Sequence, residues 1–269
     1  MNWDSDAIIR KAAEWVWIPN GSETIVGAGV TMLHDFRGLS ILTAEPDGEA
    51  DGWVGRVIGL AATVGADTLT WPVHPLTRPA DLDRHLRAHG ATVAEELDIS
   101  AFPLDEGLPD LDPPMDVDVS RIDSADGLTA AWQVDAEVFG GATPDPGAKV
   151  ADIEDLQRQV AAGPERTVLR YLAHIDGELA ATAGSTMDGG AVKLWGGAVL
   201  PRFRGRGAYR ALVAARVAEG IGLGAGLALV KARTGTSGPI LRRAGFTAYG
   251  TETVYRIDLR TESGDPVPA

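Results

Sequence analysis

Two rhythms of apolar and polar positions run along this chain, and the switches between them predict a mixed α/β protein. In the first part, residues 7–17 read as a helix, and 24–33 and 39–44 as strands. Residues 52–62 place Trp53, Val57, Leu60 and Ala61 at helical spacing. A strand over 68–73 is closed by Pro75. A helix over 81–88 ends at Gly90, where a left-handed cap is expected, and 93–104 is extended. Then the pattern restarts: strand 117–122, helix 128–139, a Gly/Pro loop 140–147, and helix 153–162. Strands 167–175 and 178–187 meet at Asp176-Gly177, a strong hairpin signal. A turn at Asp188-Gly189-Gly190 leads into a strand that reaches Val199. After it come helix 208–218, strand 227–233, helix 237–244, and strands 247–249 and 253–259.

Between the halves, residues 105–115 gather acids with Gly107, Pro109, Pro113 and Pro114, the composition of a linker. This predicts a domain over 1–112, a second over 113–262, and a loose tail over 263–269. The chain has 269 residues, enough for two domains, and no cysteine, which excludes disulfides, thiolate metal sites and a cysteine nucleophile. The start, Met1-Asn2-Trp3-Asp4, is acidic, so no secretory signal is expected and a cytoplasmic setting fits. The most apolar window, 217–230, is too short to span a membrane and holds four glycines, Gly220, Gly222, Gly224 and Gly226. The net charge of −14 argues against general binding to nucleic acid, whose phosphates call for basic surface.

Charge is uneven, however. Between 202 and 243 stand nine basic residues and a single acid, Glu219. Three of them, Arg202, Arg204 and Arg206, crowd a loop between the strand ending near Leu200 and the helix starting at Ala208, and Arg210 follows in the first turn of that helix. One reading is a solvated arginine face; the other is a polyanionic ligand. A strand, a glycine loop and a helix N-terminus collect free N–H groups and the positive end of a helix dipole. Gly205 and Gly207, lacking a Cβ, let the backbone come close to an anion. No lysine follows Gly207, so this is not a Walker loop; Arg210 stands where a dinucleotide fingerprint has its third glycine.

Arg202-x-x-Gly205-x-Gly207 resembles the acyl-CoA pyrophosphate loop of the GNAT N-acetyltransferases, Arg/Gln-x-x-Gly-x-Gly/Ala. Val199-x-Pro201 before it, Leu212 and Val213 after it, and the later Ile240-Leu241-Arg242-Arg243-Ala244-Gly245-Phe246 are similar to that family as well. The resemblance covers about 116–260 and implies the GNAT fold. The first domain echoes that fold's second half, but its matching loop, 45–51, is acidic and lacks Gly-x-Gly. The chain thus reads as a tandem GNAT-like protein with a degenerate first domain.

The resemblance implies acetyl-CoA as co-substrate, with no metal, held by Ala198, Val199, Arg204, Gly205, Arg206, Gly207, Ala208, Tyr209 and Ser237. The pantetheine arm would run along Ala198 and Val199, and an N–H near Val199 would polarise the thioester. Gly196-Gly197 marks either a bulge that splays this strand or room for a bulky neighbour such as Trp195. The implied reaction is direct acetyl transfer to a primary amine of a small molecule, by a monomer or homodimer, without nucleic acid or membrane. The chain departs from the family in two places: 192–195 offers no carboxylate base, and Leu241 stands where the family's tyrosine acid would be. Glu137 and Tyr209 are the candidate base and acid, and Asp135 and Asp145 are further carboxylates; each of these three carboxylates reads first as a solvated surface acid, and Tyr255 reads first as a strand residue. Ser237 also reads as an N-cap, His85 and His89 as surface residues, and Trp132 and Phe139 as core. Two other readings stay open: an acyl-CoA-binding module without turnover, and a transferase fed by aminoacyl-tRNA.

Overall fold

In the computed structural model, residues 3–46, 48–140 and 143–260 are described; the tail 263–269 lies outside them. α1 (Ser5–Ala13) starts where the Asp4 carboxylate accepts the Ala7 N–H at 2.8 Å, and it stops well before residue 17. The single strand expected over 24–33 is two, β1 (Glu23–Gly27) and β2 (Val30–Asp35). Gly27 pairs with Val30, and Ala28 and Gly29 turn the chain at φ of 50° and 70°. An alanine in a left-handed turn position gives little sequence warning. Then come β3 (Gly38–Ala44), α2 (Ala50–Ala62), β4 (Thr68–Val73), α3 (Leu82–Ala88) and β5 (Thr92–Pro103). The later elements are β6 (Val117–Arg121), α4 (Ala125–Phe139), α5 (Pro146–Ala161), β7 (Val168–Ile175), β8 (Glu178–Asp188) and β9 (Ala191–Val199). The chain closes with α6 (Ala208–Gly222), β10 (Leu227–Arg233), α7 (Ser237–Arg243) and β11 (Thr247–Asp258), one strand where two were expected.

These elements form two compact units whose limits differ from the boundary at 112. One takes residues up to Trp15 and Leu97–Thr251; the other takes Val16–Glu96 and the chain from Glu252 onward. The reason lies in pairing and burial. Leu97 to Pro103 of β5 run antiparallel to β10, from Arg233 to Leu227. Ile8 and Ala12 of α1 are buried with Leu227 and Leu229 of the same strand.

In the larger unit the strand order is β5-β10-β9-β8-β7-β6. β7 shows how its two faces are filled. Leu172 is buried with Leu128, Ala131 and Trp132 of α4 and Leu156 of α5. Its neighbour Tyr171 points the other way, into the cluster of Ala208, Ala211 and Leu212 on α6. In the smaller unit the order is β1-β2-β3-β4-β11. There β3 and β4 are parallel (Leu39 beside Leu69) across the helix α2, whose Trp53 meets Trp71 edge to face at 5.3 Å. This β3-α2-β4 order repeats β9-α6-β10. In both copies the antiparallel partner of the second strand comes from the other half of the sequence: β11 beside β4, and β5 beside β10.

Candidate functional site

β9 and β10 run parallel from Ala191 beside Leu227 to Leu194 beside Val230, and there the ladder ends. β10 goes on to Arg233 along β5, while β9 goes on to Val199 along β8. The two strands therefore part, and the β9 edge from Trp195 to Val199 loses its β10 partner. A bulge accompanies the parting. Gly184 pairs with Trp195 and Thr182 with Ala198, so β9 carries one more residue than β8. Gly196, at φ 61°, takes the left-handed conformation of a glycine bulge. Room for bulky neighbours is also real: a Cβ on Gly184 would overlap the Trp195 indole, and one on Gly197 would stand 2.9 Å from the Tyr209 ring. Leu200 donates its N–H to Ala180 on the β8 side. Alternation then turns the Val199 N–H and carbonyl toward the open side. The Arg204 Nε, 3.4 Å from the Val199 oxygen, lies on that side.

The loop beyond this edge is a short 3-10 turn, Pro201–Phe203, followed by Gly205 at φ 80° and Gly207 at φ 85°. Gly207 is the N-cap of α6, and no side chain caps the helix. The first N–H groups of α6, at Ala208 and Tyr209, thus have no intrahelical acceptor, and Tyr209 packs against Gly197 of β9. A strand edge, a left-handed glycine pair and an uncapped fifteen-residue helix are the parts from which backbone can form an anion cradle.

The arginines play a smaller part than their number promised. Arg206 bonds Asp176 at 2.8 Å and lies 3.4 Å from Asp116; Asp176 first, then Asp116, hold its pKa above the usual guanidinium value. Arg210 donates to the Leu111 carbonyl at 3.0 Å and sits 3.6 Å from Asp112. Arg202 is 3.6 Å from Glu137. Arg242 pairs with Asp98. Four of the nine basic residues, Arg202, Arg206, Arg210 and Arg242, are thus paired with acids from outside the stretch, so its net charge overstates the positive charge left for a ligand. Gly207 also needs a correction. A Cβ there would run into the Pro114 ring, so the linker stretch 111–116 lies against the cradle.

Among the expected catalytic and binding residues, Tyr209 and Ser237 meet. The Tyr209 hydroxyl hydrogen-bonds Ser237, and burial raises its pKa while the nearby Arg216 and the Ser237 bond oppose that rise. Ser237 is the first residue of α7; Thr236, not Ser237, is the N-cap. Glu137 is exposed beside Arg202 at the end of α4. Asp145 is a helix cap: its Oδ1 caps α5, accepting from Gly147 at 2.7 Å and Ala148 at 3.0 Å. Asp145-Pro146 also starts α5 well before residue 153, because an Asp cap and a proline at the first helical position are a helix start. Trp132 is buried as expected, but Phe139 is exposed, with Arg233 over its ring. Tyr255 is a buried strand residue of the smaller unit.

In that unit the loop matching the cradle keeps its acids: Glu49 is the N-cap of α2 and Asp51 lies in its first turn. Asp51 reaches His85 at 3.5 Å and His89 at 3.4 Å; His85 is 12% exposed, so it is not a surface residue.

Sequence reasoning missed Arg216. It falls on the buried face of α6 with Leu212, Val213, Val217 and Gly220. An arginine at a core position of a helical pattern was the available signal. Among the described residues no group of three or more His, Asp or Glu fits a metal ion, and no helix is long and apolar enough to cross a membrane.

No family model matches the chain, and no curated protein does. Solved structures do. A GCN5-related N-acetyltransferase from Kribbella flavida is similar at 20% identity, over 98% of each chain, with a TM-score of 0.62. A GCN5-related N-acetyltransferase from Sphaerobacter thermophilus matches at 18% identity over 78% of this chain and 66% of that one, with a TM-score of 0.57. A tandem GNAT protein from the clavulanic acid biosynthesis pathway matches at 13% identity over 95% of this chain and 89% of that one, with a TM-score of 0.56. With a parted strand pair, a glycine-capped helix and a second β-α-β copy, the chain has the fold of the GCN5-related N-acetyltransferases, tandem members included.

Proposed function

We propose that this protein is an acyl-CoA-dependent N-acyltransferase that moves acetyl from acetyl-CoA to a primary amine of a small molecule, directly, in a ternary complex. The observation that carries this reading is the juxtaposition of the open β9 edge with the uncapped N-terminus of α6. The pyrophosphate of CoA would take the N–H groups of Gly207, Ala208 and Tyr209, and the pantetheine arm would pair with the edge at Ala198 and Val199. No metal takes part in this reading.

In the transfer, the amine nitrogen attacks the thioester carbon, a C–N bond forms, and the C–S bond breaks. The Val199 N–H, on the open side of β9, would stabilise the oxyanion that develops between these events. The leaving thiolate needs a proton, and Tyr209, raised in pKa by burial, stays protonated at neutral pH and has one to give. The amine must lose a proton. Glu137, 3.6 Å from Arg202, is the carboxylate proposed to take it; otherwise the amine can lose its proton to water before it binds.

The pairing of Glu137 with Arg202 favours a second reading, an acyl-CoA-binding module without turnover. Thiol release from acetyl-CoA, measured over a panel of primary amines, separates the two. The first reading expects at least one amine to give steady turnover; binding of acetyl-CoA with no turnover on any amine supports the second.

A further inference from the structure

Arg216 is 1% exposed and belongs to no surface ion pair described above. Its donors go to backbone carbonyls. Nε bonds Leu212 on its own helix at 2.9 Å; Nη1 bonds Gly184 at 2.9 Å and Trp195 at 3.2 Å. Burial lowers its pKa to about 10, so it keeps its charge at neutral pH. A charge held in the interior is costly, and a methionine or leucine would fill the same space without that cost.

What the charge touches is specific. Gly184 and Trp195 are partners on the last regular step before β9 takes in its extra residue. One nitrogen therefore ties both strands at the point where the bulge begins. The same guanidinium acts on the phenols of Tyr209 and Tyr171. Tyr171 is held in turn by Glu219, which accepts from its hydroxyl at 2.7 Å and from Arg121 at 2.8 Å. Leu212 and Arg216 lie one turn apart on α6, the helix whose N-terminus forms the cradle. Strand bulge, cradle helix and Tyr209 thus share one buried cation.

We propose that Arg216 is a positioning residue for acyl transfer: by clamping the Gly184–Trp195 step it fixes the bulge, and so aims the Val199 N–H at the thioester carbonyl with Tyr209 alongside. This rests on the acyltransferase reading. Arginine suits the task because Nε holds Leu212 on its own helix while Nη1 holds Gly184 and Trp195; lysine, with one nitrogen, can keep the strand contacts only by giving up that anchor. The clamp acts on the reacting carbonyl and leaves the pyrophosphate cradle intact, so affinity and turnover should separate.

The test compares the native chain with Arg216→Met and Arg216→Lys, each bound to acetyl-CoA carrying 13C at the acetyl carbonyl. In the native chain the bound carbonyl resonance should shift from its free value. In Arg216→Met it should move back toward that value, with turnover falling by about tenfold to a hundredfold, the scale of a misplaced reacting group, and CoA affinity holding within about threefold. Arg216→Lys should recover part of both the shift and the rate, and it carries the comparison if Arg216→Met does not fold. Native carbonyl shift and native turnover in Arg216→Lys and in any folded Arg216→Met overturn the clamp alone. Loss of turnover only in proportion to lost CoA affinity, with the shift kept, overturns it too. A native chain that gives no bound resonance overturns the acyltransferase reading, and the clamp's catalytic role with it.

Discussion

At the residue scale the cradle turns on two glycines that look alike in sequence and differ in surroundings. Both have φ near 80°, where a side chain is strained. A Cβ on Gly205 would meet nothing within 4 Å, whereas one on Gly207 would overlap Pro114. Gly205→Ala should therefore cost about 1–2 kcal/mol of stability, from the backbone alone. Gly207→Ala should cost about 2–5 kcal/mol, since overpacking is added. Urea unfolding of the two variants checks this; equal losses would mean that Pro114 gives way freely. The same contact means that Gly207→Val perturbs folding as well as CoA binding, so a loss of binding in that variant must be read beside its stability. Arg206 makes a second case. Asp176 and Asp116 hold it, so Asp176→Asn should free it toward a bound anion. CoA affinity should rise a few-fold at low salt, and the gain should shrink as salt is added, as for any exposed charge. Unchanged affinity at low salt would mean that Arg206 does not face the ligand.

At the element scale the sequence was legible where a local rule decides the outcome. Asp176-Gly177 made the hairpin of β7 and β8, and Gly196-Gly197 made the bulge of β9. Gly207 fell at the helix start it announced. Elements went astray where the deciding partner was subtle or distant. The turn at Ala28-Gly29 carries an alanine in a left-handed position, so two strands read as one. Asp145-Pro146 is a cap signal that the loop reading of 140–147 passed over; residues 141 and 142 of that loop lie outside the described ones. Asp145→Ala offers a direct check of cap against base. It should destabilise the protein by about 1 kcal/mol, the usual worth of such a cap, and leave the pH dependence of turnover unaltered. Loss of the low-pH limb of that profile, where a general base is silenced by protonation, would restore Asp145 as a base.

At the scale of the whole molecule, long-range pairing was the part that the sequence kept hidden. Nothing local in 97–103 says that it will lie along β10, and nothing in 252–258 says that it will lie along β4. The acidic, proline-rich stretch 105–115 looked like a boundary because its composition is that of a linker, yet Leu111 is buried and Arg210 bonds its carbonyl. The two β-α-β copies were legible, and so was their inequality. One has Gly205 and Gly207 ahead of an uncapped helix; the other has Glu49 and Asp51 at the same place. Negative side chains at a helix start satisfy the dipole that a phosphate would otherwise use. The central claim is that a single cradle, at the start of α6, takes the co-substrate. Calorimetric titration of the native chain with CoA tests it most directly. The expected result is one site per chain, and at a hundred times the dissociation constant the same ligand should add about 2.7 kcal/mol to the stability of the fold. Two sites per chain, or no binding at millimolar CoA, would contradict it.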